Sequence, residues 1–167
     1  MSDQPTSAEE ARARVTGLAR AARICMLTTT ALDGRQVSRP MGLQEAEFDG
    51  ELWFFASADS AKVRQIRVNP EVNIAFSDQK HNAWVSISGT ATEGFDRARA
   101  EQLWNPLLKA WFPDGLDTPG LTLIKVHASS AEYWDSPSST VVNLLGYAKA
   151  AVTGRPPELG ENHEVSY

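Results

Sequence analysis

Residues 53–70 read WFFASADSAKVRQIRVNP, and the order of residue types in this stretch decides how the chain is read. The aromatic run Trp53-Phe54-Phe55 suits a buried, pleated strand. The run ends at Ala56 and Ser57. Ser60 and Lys62 follow, and a helical stretch then stops at Asn69-Pro70, because proline cannot continue a helix. A strand that passes into a helix through hydroxyls and a lysine gathers free backbone N–H groups, the positive end of a helix dipole and a full charge at one place. Such an arrangement suits a phosphate. The same serines also suit ordinary helix caps with Lys62 in solvent, and this segment alone leaves both readings open.

The preceding segment VSRPMGLQE (37–45) puts Arg39 in a strand, and the sequence order predicts that this strand pairs with 51–56, close to where Ser57 emerges. An arginine beside a hydroxyl-rich turn and a lysine forms a three-sided clamp, and its guanidinium can bind two phosphate oxygens at once. Pro40 within that strand points to an edge or a bulge, where the backbone is free to meet a ligand.

Outward from this centre the pattern is regular. Ser7-Ala8-Glu9-Glu10 matches a capping box and opens an alanine-rich helix to about residue 22, with Val15, Leu18, Ala19 and Ala22 on its apolar stripe. RICMLTTTA (23–31), the turn LDGR and residues 36–47 read as a hairpin. Asp49-Gly50 marks another turn, into ELWFFAS. EVNIAFSD (71–78) and AWVSISGTATEGF (83–95) alternate as two antiparallel strands. Asp96 caps a further helix, and NPLLKAWFP (105–113) reads as one or two more helical turns. LTLIKVHASSAEYWD (121–135) alternates over its whole length. A final helix is expected near Thr140, followed by the polar tail RPPELGENHEVSY. About six antiparallel strands with helices at the breaks make a mainly β chain built on a small barrel. Three segments result: an N-terminal helical segment (1–22), a barrel domain (23–135), and a C-terminal helix and tail (136–167) packing on the barrel or on a dimer partner.

Composition narrows the chemistry. The chain has 167 residues and a net charge of −5 with no basic block, which argues against nucleic acid and anionic membranes as partners. No apolar run approaches about 18 residues and the start is not a signal peptide, so a cytoplasmic protein is expected. The single cysteine, Cys25, between Ile24 and Met26, reads as a small core residue. There is no G-x-G-x-x-G, no G-x-x-x-x-G-K-[ST] and no G-x-S-x-G. The three histidines, His81, His127 and His163, lack metal-ligand spacing, so no metal is expected. No acid–base pair stands out, no residue is singled out as catalytic, and an enzyme built on this chain needs a cofactor.

The strand arginine, the aromatic strand, Ser-x-Lys and Asn-Pro, in that order, resemble the pyridoxamine 5′-phosphate oxidase-like family, whose fold is the FMN-binding split β-barrel. LWFFASADSAKVRQIRVNPEVNIAFSD, WNPLLKAWFPDG and AEYWDSP are similar to its general stress protein 26 branch, from about residue 10 to the C-terminus. The resemblance implies that Arg39 grips the FMN phosphate while Pro40 and Met41 run along the isoalloxazine edge. Phe55 and Ala56 match the family's Tyr-Thr pair. Ser60 and Lys62 match its phosphate-binding serine and lysine, and Trp134 matches a tryptophan that reaches the flavin of the partner subunit. A homodimer with two flavins at its interface is implied.

The departures are specific. Ala56 lacks the usual hydroxyl, for which Ser57 can substitute, and Ala61 stands where the family has an arginine. Trp84 replaces a flavin-contacting glutamine. Gln44, WNPLLKAWFP and SPSSTVVN replace the elements that hold pyridoxal phosphate, so oxidation of B6 vitamers is not expected. Trp111, in the aromatic group with Trp104 and Phe112, either packs on the barrel or covers the flavin ring. The resemblance therefore implies a general stress protein that binds FMN, with FAD open because the clamp reads only the phosphate. An FMN-dependent oxidoreductase acting on an unknown small substrate and a flavin-free dimeric interaction module are the alternatives.

Overall fold

Seven strands form a single antiparallel sheet, and along β1, β4 and β5 buried side chains alternate with more exposed ones. The computed structural model describes residues 8–44, 50–80, 82–135 and 161–166. In chain order the elements are α1 (Ala8–Ala21), β1 (Ile24–Thr30), β2 (Gln36–Gly42), β3 (Glu51–Ser57), α2 (Ala61–Val68), β4 (Glu71–Asp78), β5 (Ala83–Gly94), α3 (Arg97–Leu103), two short 3-10 turns (Pro106–Ala110 and Gly115–Asp117), β6 (Leu121–Asp135) and β7 (Glu161–Ser166). The proposed Ser7 cap and the helix expected near Thr140 lie outside the described residues.

The strands follow the order β2-β1-β4-β5-β6-β3, with β7 added against β6. The sheet curls around Leu27, Phe54, Ile74, Ile87, Ile124, Val126 and Tyr133, all at most 1% exposed. This is the split barrel. Val15, Leu18 and Ala19 of α1 join the same core.

One sequence expectation fails here. β2 does not pair with β3: it pairs with β1, Leu27 opposite Arg39, while β3 pairs with β6, Phe54 opposite Ile124. The cause lies in the faces of β3. Leu52, Phe54 and Ala56 point into the barrel core, and Phe55 points the other way, into a second cluster with Ala100, Leu103, Leu108, Leu121 and Leu123. A strand apolar on both faces needs cover on both. β6 matches it, because Leu121 to Ile124 are buried in succession. In β2 only Met41 is buried, so it has no second face to offer. β2 and β3 become the two ends of the sheet path, and Pro40 sits on an edge strand, as its chemistry requires.

The second cluster is built by the excursion between β5 and β6. Asp96 accepts a hydrogen bond from the Arg99 amide and caps α3, and the Asn105 side chain accepts from the Leu107 amide to start the 3-10 turn. Trp104 meets Phe55 edge-on at 5.5 Å and Phe112 lies 6.3 Å from the same ring. Trp53, expected in the core, is half-buried on this outer face, between the guanidinium of Arg99 at 4.8 Å and the ammonium of Lys125 at 5.6 Å.

β6 is 15 residues long and changes neighbour along one edge. Its first part, Leu121 to His127, pairs with β3, and its last part, Ser130 to Asp135, pairs with β7. The change coincides with a bulge where the register against β5 shifts between Ser88 and Gly89. Ser129 is the extra residue, and its hydroxyl donates to the Ser88 carbonyl at 3.0 Å. A Cβ on Gly89 would lie 2.2 Å from the His127 carbonyl oxygen, so only glycine fits this crossing.

Candidate anion-binding site

The strand–turn–helix of residues 53–70 forms as its sequence predicts, and the next question is where its polar groups go. The amide of Ser60 donates to the Ser57 carbonyl, and the first helical bond runs from the Arg64 amide to the Ser60 carbonyl. The first-turn amides of α2 therefore have no carbonyl inside the helix. Ser60 stands at the N-cap, yet its side chain makes no capping bond. Its Oγ is buried without any hydrogen-bond partner. The reading of Ser60 as an ordinary cap therefore does not hold.

Two anchors orient α2. Val63 and Ile66 are buried against the barrel. At its far end Arg67 bonds the Glu93 carboxylate at 3.0 Å, and that carboxylate also accepts from the Thr122 hydroxyl at 2.8 Å. The first turn is thereby fixed beside β1 and β2.

Arg39 reaches the same place from β2. Its side chain lies on the inward face, level with Leu27 and Ile74. Nη1 donates to the Thr29 hydroxyl at 2.6 Å and to the Leu27 carbonyl at 3.2 Å, and Nη2 donates to Gln65 Oε1 at 3.1 Å. Thr29 Oγ1 in turn donates to Gln65 Oε1 at 2.6 Å. Burial lowers the pKa of the Arg39 guanidinium. Lys62 is also held below the ordinary lysine value, first by burial and then by the charge of Arg39. Two half-buried cations thus face each other, and among the described residues neither has a carboxylate partner. The arrangement can hold a dianion.

The remaining predicted residues divide into groups. Ser57 is half-buried at the turn, and its carbonyl is engaged by Ser60. Phe55 and Ala56, at 6% and 2% exposed, have side chains committed to the two cores, so a ligand beside them meets backbone. Pro40 is exposed, whereas Met41 is buried and its carbonyl accepts from the Cys25 thiol at 3.6 Å. Burial pushes the Cys25 pKa up to about 12, so the thiol is inert, as its core position implies. Trp111 is 73% exposed and does not join Trp104 and Phe112 on Phe55.

Trp134 is not beside the clamp of its own chain. It stands opposite Trp84 in the β5–β6 ladder, and strand alternation sets this pair on the outer face with Met26, Ala75 and Ser86. Arg39 is on the inner face. Thr29 and Gln65 had no role in the sequence reading. The signal for Gln65 was present, since it follows Lys62 by three residues and so shares its helix face. Thr29 needed the hairpin register, which sets it diagonally from Arg39. Among the described residues no group of His, Cys, Asp and Glu could hold a metal ion, and no helix is long and apolar enough to cross a membrane.

A split barrel with a cationic clamp between an edge strand and a helix start defines a class, and residues 10–158 match the family described as Pyridoxamine 5′-phosphate oxidase like. The chain belongs to this family. Solved structures about one third identical to it include proteins described as general stress proteins. Protein bli-3 of Neurospora crassa is 31% identical over 150 residues, covering 84% of this chain and 72% of that protein. The general stress FMN/FAD binding protein of Xanthomonas citri is 33% identical with a TM-score of 0.69, over 78% of this chain and 92% of its own. A chain assigned to general stress protein 26 in Jannaschia sp. CCS1 shares the fold at a TM-score of 0.75 and 22% identity, over 95% of this chain and 99% of its own.

Proposed function

We propose that this chain is a flavoprotein that binds FMN by its phosphate, with Arg39, Lys62, Ser60 and the first-turn amides of α2 as the clamp. The observation that carries the reading is a set of unmet groups at one place: two half-buried cations that have no carboxylate partner among the described residues, and a buried Ser60 hydroxyl without a partner there. A phosphate monoester brings nearly two charges and three acceptor oxygens, which meets all of them. The printed name of the Xanthomonas citri relative supports a flavin as the phosphate carrier. FMN and FAD both carry the phosphate that such a clamp reads.

In this reading the backbone of Pro40, Met41, Phe55 and Ala56, on the two strands that end the sheet path, offers the ring its edge contacts. When bound, the isoalloxazine supplies hydride or single-electron transfer, and the chain supplies binding and orientation. The described residues bring no acid–base pair to the clamp, which supports flavin binding ahead of turnover of a particular substrate.

The same reading includes a homodimer. Trp84, Met26 and Ile24 are 43%, 42% and 66% exposed on one outer sheet face, among small side chains such as Ser38, Ala75, Ser86 and Ser88. A second copy covering this face buries these apolar groups, and Trp134 then reaches a flavin held by the partner.

An absorbance titration of the purified protein with FMN and with riboflavin tests the clamp. The expected result is a saturable flavin spectrum with FMN at least about tenfold tighter, a gap that Lys62→Ala narrows. Equal affinity for both ligands rules out the phosphate clamp. Binding of neither rules out the flavoprotein and leaves the interaction module.

A further inference from the structure

The five N–H donors of Arg39 can be counted one by one. Both Nη1 hydrogens are used, on Thr29 Oγ1 and the Leu27 carbonyl, and one Nη2 hydrogen is used on Gln65 Oε1. Thr29 Oγ1 and Gln65 Oε1 are themselves hydrogen-bonded at 2.6 Å. Together they fill the terminal Nη1–Nη2 edge of the planar group. Among the described residues, what remains unused is Nε–H and the second Nη2–H, which lie on one edge and form a fork matched to two oxygens of one anion.

We infer that Thr29 and Gln65 are positioning residues, which lock the Arg39 guanidinium so that its Nε–Nη2 edge is the one presented to a phosphate. The inference rests on the phosphate-clamp reading for its ligand. Thr29 is 1% exposed, and its single hydroxyl proton goes to Gln65, so its lone pairs are left for Arg39. Gln65 is carried by α2, the helix that also brings Ser60 and Lys62. The Gln65 amide oxygen therefore couples the strand side of the clamp to the helix side. No carboxylate takes its place. A glutamate there would neutralise Arg39 and compete with the phosphate, whereas an amide holds the guanidinium and leaves its charge for the ligand.

The test uses Thr29→Val, Thr29→Ser and Gln65→Leu in the full chain, with two readouts. The first is the ratio of FMN to riboflavin affinity. Thr29→Val and Gln65→Leu are each expected to weaken FMN by about two- to tenfold, the cost of ordering a long side chain at the moment of binding. Riboflavin affinity stays unchanged, and Thr29→Ser stays near the parent. A parallel loss for both flavins, or no loss for FMN, overturns the inference.

The second readout needs no flavin. In nitrogen-15 NMR spectra of the unliganded protein, the Arg39 guanidinium should show hindered rotation and slow proton exchange, and both variants that remove a partner should release it. A freely rotating Arg39 in the parent overturns the inference whatever binds. If the parent binds no FMN while Arg39 is held and then released by the variants, the flavoprotein reading falls and the positioning role stands.

Discussion

At Ser60 a hydroxyl is buried with nothing to bond, a condition that costs a folded chain about 1–3 kcal/mol. Ser60→Ala should therefore raise the stability of the flavin-free protein, by about 1 kcal/mol in urea unfolding, while weakening FMN. Loss of stability together with unchanged FMN affinity would contradict its assignment to the ligand. Lys62 gives a second prediction, with opposite signs for folding and binding. Its folded-state pKa is lowered by burial and by Arg39, so the unfolded chain holds this proton to higher pH than the folded one. As pH rises through the lowered value, the group's contribution to stability rises. FMN affinity moves the other way, because the phosphate needs the ammonium. An FMN titration across alkaline pH should show a falling limb below the ordinary lysine range, and Lys62→Ala should lack it.

At the scale of elements, Gly89 of β5, opposite the bulge in β6, is the place where a single methyl group is most costly. Gly89→Ala drives a Cβ into the His127 carbonyl, and a loss of at least about 2 kcal/mol is expected in urea unfolding. Elements such as α2 and the cap of α3 were legible because their signals are local: Asn-Pro after a helix, Asp96 before one. The alternation of 121–128 was legible too, but that Leu121 and Leu123 join one core while Ile124, Val126 and Ala128 join the other was not. The β2–β3 pairing was misread because sequence neighbours were taken as sheet neighbours. Which strand covers β3 depends on who else carries apolar side chains on both faces, a property of β6 more than sixty residues further along. Arg39 and Lys62 still come near each other despite that error, since α2 packs on β1, the strand that β2 pairs with. Thr29 and Gln65 were invisible for the same reason: their roles exist only once strand and helix are brought together.

For the whole molecule, the opposed faces of the sheet matter most. Arg39 points inward and Trp134 outward, so one chain cannot bring both to one flavin. The proposed dimer resolves this by exchange between copies. Trp84→Glu places a charge in the middle of the outer face, and sedimentation velocity over a concentration series should show dimer affinity weakened by roughly thirtyfold or more. A parent protein that is monomeric at all concentrations removes the dimer, and Trp134 then has no flavin to reach. The pairing of β6 with two successive partners carries a different consequence. The last six residues of its edge are covered by Glu161–Ser166, a segment from the far end of the chain. A chain clipped before that segment would keep its clamp but bare a row of unsatisfied amides and carbonyls from Ser130 to Asp135. Such an edge recruits whatever strand is nearest, so proteolytic trimming of the tail would turn the protein into a seed for sheet-to-sheet polymerisation.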